Sequence, residues 1–219
     1  MKSIRTFFAN FLKIDPRLMR KMRKLLAPFR RIGLKKEFTL ISNNCWGGRL
    51  YDKFSKPYLS PTIGLSMCEN DFLKFVNNLD DYLKLELIPI KEEQSKTNNE
   101  HGNYGCMLGD VKVSFIHYRN VEDAVCKWNR RKKRIAWNNI LVKFSYYQDD
   151  INESIIKEYA RVPYKKILLT NKKELCFRDD LGKVVYIPTD DKGTNEFVLS
   201  DKAIKLKEIK KIINAERRQ

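Results

Sequence analysis

Histidine is nearly missing from this sequence: His101 and His117 are the only two in 219 residues. A histidine-rich metal centre is thereby improbable. The five cysteines, at positions 45, 68, 106, 126 and 176, are odd in number, irregularly spaced and never form CxxC. That pattern argues against a disulfide framework or a zinc knuckle and for reduced thiols in a cytoplasmic protein. No apolar run is long enough to cross a bilayer. The first residues do not read as a signal peptide, because Asn10 and Lys13 break the apolar part and no small-residue cleavage site follows. Neither GxGxxG nor GxxxxGK followed by Ser or Thr occurs, so no familiar phosphate loop supports nucleotide binding. No Asp-x-Asp follows a strand, as a metal- and nucleotide-sugar-binding glycosyltransferase would suggest. Of the acidic pairs, Asp149-Asp150 follows a strand most closely and gives at most a weak divalent-metal reading. No metal ligands are assigned, and the sequence names no cofactor.

What is present is enough apolar material for one substantial core or at most two small ones, with 42% hydrophobic and 11% aromatic residues. The net charge of +17 is unevenly placed. Residues 1–36 hold twelve Lys/Arg against Asp15 alone, residues 127–134 add six basic groups, and residues 201–219 add seven against three acids. Everything else is net acidic. Basicity confined to three blocks favours localised contact with an anionic surface over a uniformly basic nucleic-acid binder.

Residues 1–36 form a segment apart from a single α/β domain at 37–219. Ile4, Phe7, Phe8, Phe11 and Leu12 recur at helical spacing. After Asp15-Pro16, so do Leu18, Met22, Leu25, Leu26 and Phe29, with Arg17, Arg20, Lys21, Arg23 and Lys24 on the other faces. This basic amphipathic pattern suits a membrane interface, and equally a pair of helices packed on the body. Pro28 and Gly33 close the segment. The body alternates: strand Phe38–Ile41, a helix capped by Asn70, strand Leu85–Ile90, a polar loop at 91–105, strand Val111–Ile116 and a helix capped by Asn120. Strand Ile140–Phe144, helix Glu153–Arg161, strand Ile167–Thr170, a hairpin of Leu175–Phe177 with Val184–Ile187, and a basic helix from Lys202 to Asn214 follow. That order predicts a layered α/β fold with a mainly parallel sheet flanked by helices.

The stretch Ser42-Asn43-Asn44-Cys45-Trp46-Gly47-Gly48-Arg49, set on the first strand, reads as a tight loop carrying functional groups. Cys45 is a candidate nucleophile and His117, at the end of another strand, its candidate base. If the two strands are parallel neighbours, both residues emerge on the carboxyl edge, where open α/β sheets hold ligands. Asn138, Asn139 or Asp149 would orient the imidazole. The plain alternative is a buried thiol and a hydrogen-bonded histidine. Trp46 is either a stacking platform or a core plug. Gly47-Gly48 suit an anion-binding nest. Ser60-Pro61-Thr62 offers hydroxyls that bind a ligand or cap a turn. In the basic run Arg130–Arg134, Arg131 lies between Trp128 and Ile135 in the helical repeat and points inward, while Lys132 and Lys133 face water.

Phe38 to Gly48 resembles the opening signature of domain-of-unknown-function family 1919, whose members are associated with exopolysaccharide and capsule biosynthesis. Ser60–Leu65, Leu108-Gly-Asp-Val, Phe115–Tyr118 and Trp128–Ile135 followed by Asn139 continue it, over about residues 37–145. The basic start lies outside that stretch. The resemblance implies an α/β fold and bacterial surface-polysaccharide assembly, and brings no established reaction. It marks Asn43, Asn44, Cys45, Trp46, Gly47, His117, Tyr118 and Arg131 as site-formers, and Gly48 and Asn139 join them as candidate substrate contacts. The expectation is therefore a transferase peripheral on the cytoplasmic membrane face, acting on a glycan or lipid-linked glycan. Acyl transfer through Cys45 and His117 comes first and glycosyl transfer second. A non-enzymatic nucleic-acid binder, supported only by charge, and a structural partner of the assembly complex with Cys45 buried are the rival readings.

Overall fold

The computed structural model describes residues 16–96 and 102–216. Its frame is two four-stranded sheets. One is entirely parallel, in the order β1 (Thr39–Ser42), β6 (Ile140–Tyr146), β7 (Lys165–Thr170), β8 (Lys183–Tyr186). The other is antiparallel, in the order β2 (Leu65–Ser66), β5 (Val111–Tyr118), β4 (Gly102–Leu108), β3 (Leu87–Lys96). The α/β class stands, but the expected mainly parallel sheet is half of the strand structure. One short-range pairing accounts for much of the difference. Of the polar stretch expected as a loop at 91–105, residues 91–96 and 102–105 instead extend β3 and β4 as an antiparallel pair, because backbone pairing with a neighbour does not require apolar side chains. The hairpin expected from Leu175–Phe177 and Val184–Ile187 does not form. Lys173–Phe177 is a 3-10 turn, and β8 runs parallel to β7.

Eight α-helices lie among the described residues: α1 (Pro16–Arg31), α2 (Trp46–Phe54), α3 (Glu69–Asn77), α4 (Leu79–Lys84), α5 (Val121–Lys132), α6 (Glu153–Ala160), α7 (Glu196–Ala203) and α8 (Leu206–Asn214). Asn120 caps α5 by accepting the Asp123 N–H at 2.8 Å, and Asn152 caps α6 through the N–H groups of Ser154 and Ile155. Asn70 lies inside α3, which begins after Cys68. The basic helix expected at the carboxyl end is two helices, broken at Ile204-Lys205. Helix α1 continues through Pro28 to Arg31. Residues 1–15, with the first half of the amphipathic stripe, lie outside the described residues.

The parallel sheet separates two cores. Ile41, Val142, Phe144 and Leu168 face a core shared with the antiparallel sheet and helices α3 to α6, including Phe72, Phe75, Phe115 and Trp128. Leu40, Leu141, Ile167, Leu169 and Val185 face the other way, against α2, α7 and α8. All seven residues of β6 are buried, as expected of a central parallel strand. The strand period of two therefore puts Leu141, Lys143 and Ser145 on one face, so a lysine and a serine are carried into the second core.

Candidate functional site

The carboxyl ends of the four parallel strands share one edge, and the chain leaves β1 there through Asn43, Asn44 and Cys45. The expected loop is only these residues long. Trp46 opens α2, whose first free N–H is accepted by Asn44 Oδ1 at 3.1 Å. Gly47 and Gly48 are thus the first turn of a helix with ordinary negative φ. The nest expected there, which needs a left-handed residue, is not formed. The N–H groups of Gly47 and Gly48 belong to the first turn of α2, which has no intrahelical partner for them, and they follow Cys45 and Trp46 in the chain. A Cβ on Gly48 would come within 3.4 Å of Ile63 Cγ2.

Asn43 is buried and spent on structure: its amide donates to Ser145 O at 3.1 Å and accepts the Ser145 N–H at 3.0 Å, lashing the end of β1 to β6. Trp46 is the core plug of the two readings. It is buried, its indole N–H donates to Ser200 Oγ at 3.0 Å, and the Lys143 ammonium stands 5.7 Å from its ring centroid. Ser60 and Thr62 are buried too, and Thr62 Oγ1 accepts the Ser42 N–H at 3.0 Å. Asn139 sits at the opposite edge of the sheet, at the amino end of β6, where it donates to Glu37 O and accepts from Lys165 Nζ. It is not brought to the other site residues, because a seven-residue strand of about 3.3 Å per residue separates the two edges. Asp149 and Asp150 lie in the exposed loop after β6, and no group of three or more metal-ligating His, Cys, Asp or Glu side chains occurs among the described residues.

Cys45 and His117 do meet in one cleft, though not by the expected route. His117 is on β5 of the antiparallel sheet, so the two strands are not parallel neighbours. The short strand β2 brings them together: Cys45 Sγ lies 3.9 Å from Leu65 O, and Leu65 pairs with Phe115, two residues before His117. Both line a cavity of about 410 Å³ on the sheet edge, with Asn44, Ser145, Tyr147 and Glu196. Both also line an adjoining cavity of about 380 Å³, with Arg49, Tyr118, Lys127 and Arg131. Cys45 is half-buried. Burial pushes its thiol above the ordinary value of 9.0, against the pull of Lys143. It is a thiol at neutral pH and needs a base to become a nucleophile.

Beneath the first cavity is a charged cluster that the sequence reading missed. Lys143 is fully buried and donates to Glu196 Oε1 at 2.6 Å, to Asn44 Oδ1 at 3.0 Å and to Ser145 Oγ. Three acceptors use all three ammonium protons. Glu196 Oε2 in turn accepts from Ser145 Oγ at 2.6 Å and from the Asn44 amide at 3.2 Å. Burial raises the Glu196 carboxyl, but Lys143, Ser145 and Asn44 outweigh it and hold it below its usual range. Burial lowers Lys143 more than Glu196 restores it. The geometry is that of an ionised pair with every polar atom served. Tyr147 Oη, buried beside Glu196 and Ser145, has no hydrogen bond of good geometry among the described residues and lines the cavity. The only signal for Lys143 and Ser145 in the sequence is a polar alternation inside an apolar strand. Glu196, 53 residues from Lys143, carries none.

A sequence model for a domain of unknown function, DUF1919, matches residues 18–211. The chain belongs to the DUF1919 family. The match reaches well beyond residues 37–145 and takes in most of α1 as well as Glu196, so the basic helix is not outside the family region. An uncharacterized protein of Haemophilus influenzae is 28% identical over 141 residues, covering 64% of this chain and 65% of the relative. The chain thus spans just under two thirds of that relative's length. Within this DUF1919 chain, the cleft joins a thiol, an imidazole, helix-start N–H groups and a buried ion pair at one sheet edge.

Proposed function

We propose that this DUF1919 protein is a transferase that moves an acyl group onto a glycan or lipid-linked glycan through Cys45, in surface-polysaccharide assembly at the cytoplasmic membrane face. The observation that carries the chemistry is the shared cleft of Cys45 and His117. His117 takes the thiol proton as the sulfur attacks the acyl carbonyl of an ester or thioester donor. The N–H groups at the start of α2 stabilise the oxyanion, and His117 returns the proton to the departing alcohol or thiol. A sugar hydroxyl then attacks the Cys45 thioester and gives its proton to His117, which passes it to the departing sulfur and restores the thiol. The polysaccharide pathway rests on the family resemblance. The test is acylation by p-nitrophenyl acetate followed by intact mass and peptide mapping. One acetyl group on Cys45, absent in Cys45→Ser, is expected. Acetylation confined to lysines would defeat the proposal.

The membrane part of the reading is supported by α1. Arg31 anchors this helix by donating to the carbonyls of Phe54 and Ser55, and Ala27 is buried on the same side. Leu25, Phe29 and Ile32 turn outward at 73%, 69% and 69% exposure, at the i, i+4, i+7 spacing of one face. An apolar stripe on a basic segment fits an anionic lipid surface. No helix among the described residues is long and apolar enough to cross a membrane. Co-sedimentation with phosphatidylglycerol vesicles is expected to fall at least about tenfold in the Leu25→Ser, Phe29→Ser, Ile32→Ser triple variant. Equal partitioning of parent and variant would remove the helix from the membrane contact.

A further inference from the structure

We infer that the second cavity of the cleft is a phosphate subsite, so that a substrate of the proposed transfer carries a phosphoryl or pyrophosphoryl group beside its reacting end. The word substrate rests on the transferase reading; the observations below do not.

Arg131 is the centre of the argument. Helix α5 carries it inward, and it is only 7% exposed. Its Nη1 donates to Tyr118 Oη at 2.7 Å and to Ile63 O at 3.4 Å, and the guanidinium stands 5.1 Å from the Tyr58 ring centroid. Among the described residues it forms no ion pair with a carboxylate. A guanidinium has five N–H donors, and two neutral oxygens on one nitrogen leave its charge without a counter-ion. Burying such a charge without a counter-ion is unfavourable. An anion in the cavity that Arg131 lines supplies the missing partner, and the planar fork of arginine is matched to phosphate.

The surroundings agree in sign. Arg49 and Lys127 line the same cavity, against Asp52 as its single acid, and Asp52 already accepts the Tyr58 hydroxyl at 2.9 Å. Arg49 and Lys127 have other contacts, to Asp201 at 3.6 Å and Asp123 at 2.6 Å, so they supplement Arg131 and do not replace it. Because Cys45 and His117 line this cavity as well as its neighbour, a phosphate held by Arg131 lies one cavity's width from the thiol. Two sources share this chemistry: a soluble donor bearing a diphosphate, and a lipid-linked acceptor bearing one.

The experiment is calorimetric titration of the full chain with inorganic pyrophosphate. Binding by the parent is expected. Arg131→Gln should weaken it at least about tenfold, since a buried charged contact is lost. Should Arg131→Gln misfold, Arg49→Ala and Lys127→Ala, each at the cavity rim, carry the test with smaller losses. If acylation of Cys45 fails while pyrophosphate still binds, the transfer reading falls and the anion site stands. Displacement of pyrophosphate by a nucleoside diphosphate, or by a short-chain polyprenyl diphosphate, assigns the source. Absence of pyrophosphate binding to the parent, binding indifferent to all three cationic positions, or displacement by neither diphosphate overturns the inference.

Discussion

Replacing Glu196 by glutamine is expected to lower the melting temperature by roughly 6–20 °C. Breaking a buried ion pair from one side costs about 3–5 kcal/mol, and each kcal/mol is worth about 2–4 °C in a chain of this size. The large effect comes from what is left behind: Lys143 stays fully buried, with its charge no longer balanced. Removing both charges behaves differently. Lys143→Met with Glu196→Leu replaces the pair by apolar volume and is expected to recover most of the loss. The pH dependence has a definite sign. Glu196 is held below its unfolded value, so its stabilisation is full above the ordinary glutamate range and is lost as pH falls through the lowered native value. The parent should therefore weaken on acidification, and its own depressed Lys143 adds a gain in stability as pH rises toward the ordinary lysine range, a gain that deepens once Glu196 is gone. In Glu196→Gln the depressed Lys143 takes over. The native state then binds fewer protons than the unfolded chain below the ordinary lysine range, and stability climbs as pH rises. Thermal melts from acid to alkaline pH check both slopes. A variant that melts within a degree or two of the parent at neutral pH would show that the pair is not a charged, dry contact in solution.

His117→Ala is expected to slow acylation of Cys45 by about 10²–10⁴-fold at pH 7, the usual contribution of a positioned general base. The expectation follows from the thiol. Burial holds Cys45 above 9.0, so little thiolate is present at neutral pH without a base. The deficit should shrink as the medium approaches the thiol's own range, because hydroxide then removes the proton that His117 removed. A histidine that merely packs at a strand end would give no such convergence. Stopped-flow release of p-nitrophenol at pH 7 and at pH 10 measures both limbs. Equal rates for parent and variant at pH 7 would exclude His117 as the base.

Local pattern carried a good deal of this molecule. Asn120 announces α5 by its side-chain cap, and Arg131 points inward because it lies between Trp128 and Ile135 in the helical repeat. Both are properties of a few neighbouring residues. The misplaced features depend on how the backbone pairs, which side-chain pattern does not show. The second half of β3 and the first half of β4 look like a polar loop until they are paired with each other. Gly47 and Gly48 read as a nest, although Asn44 turns them into the start of a helix.

By itself the sequence determined the α/β class, the basic blocks, and the residues that follow β1 into the candidate cleft, since composition and periodicity are local quantities. Only the tertiary structure decided the site's membership. It brought His117 into the cleft that Cys45 lines, from a different sheet, through the two-residue strand β2. It turned Asn139 away to the opposite edge. It buried Lys143 on the face of β6 that meets Glu196, 53 residues further on. Charges in water make no demand on each other, and it is the removal of water in the packed core that forces these two to pair.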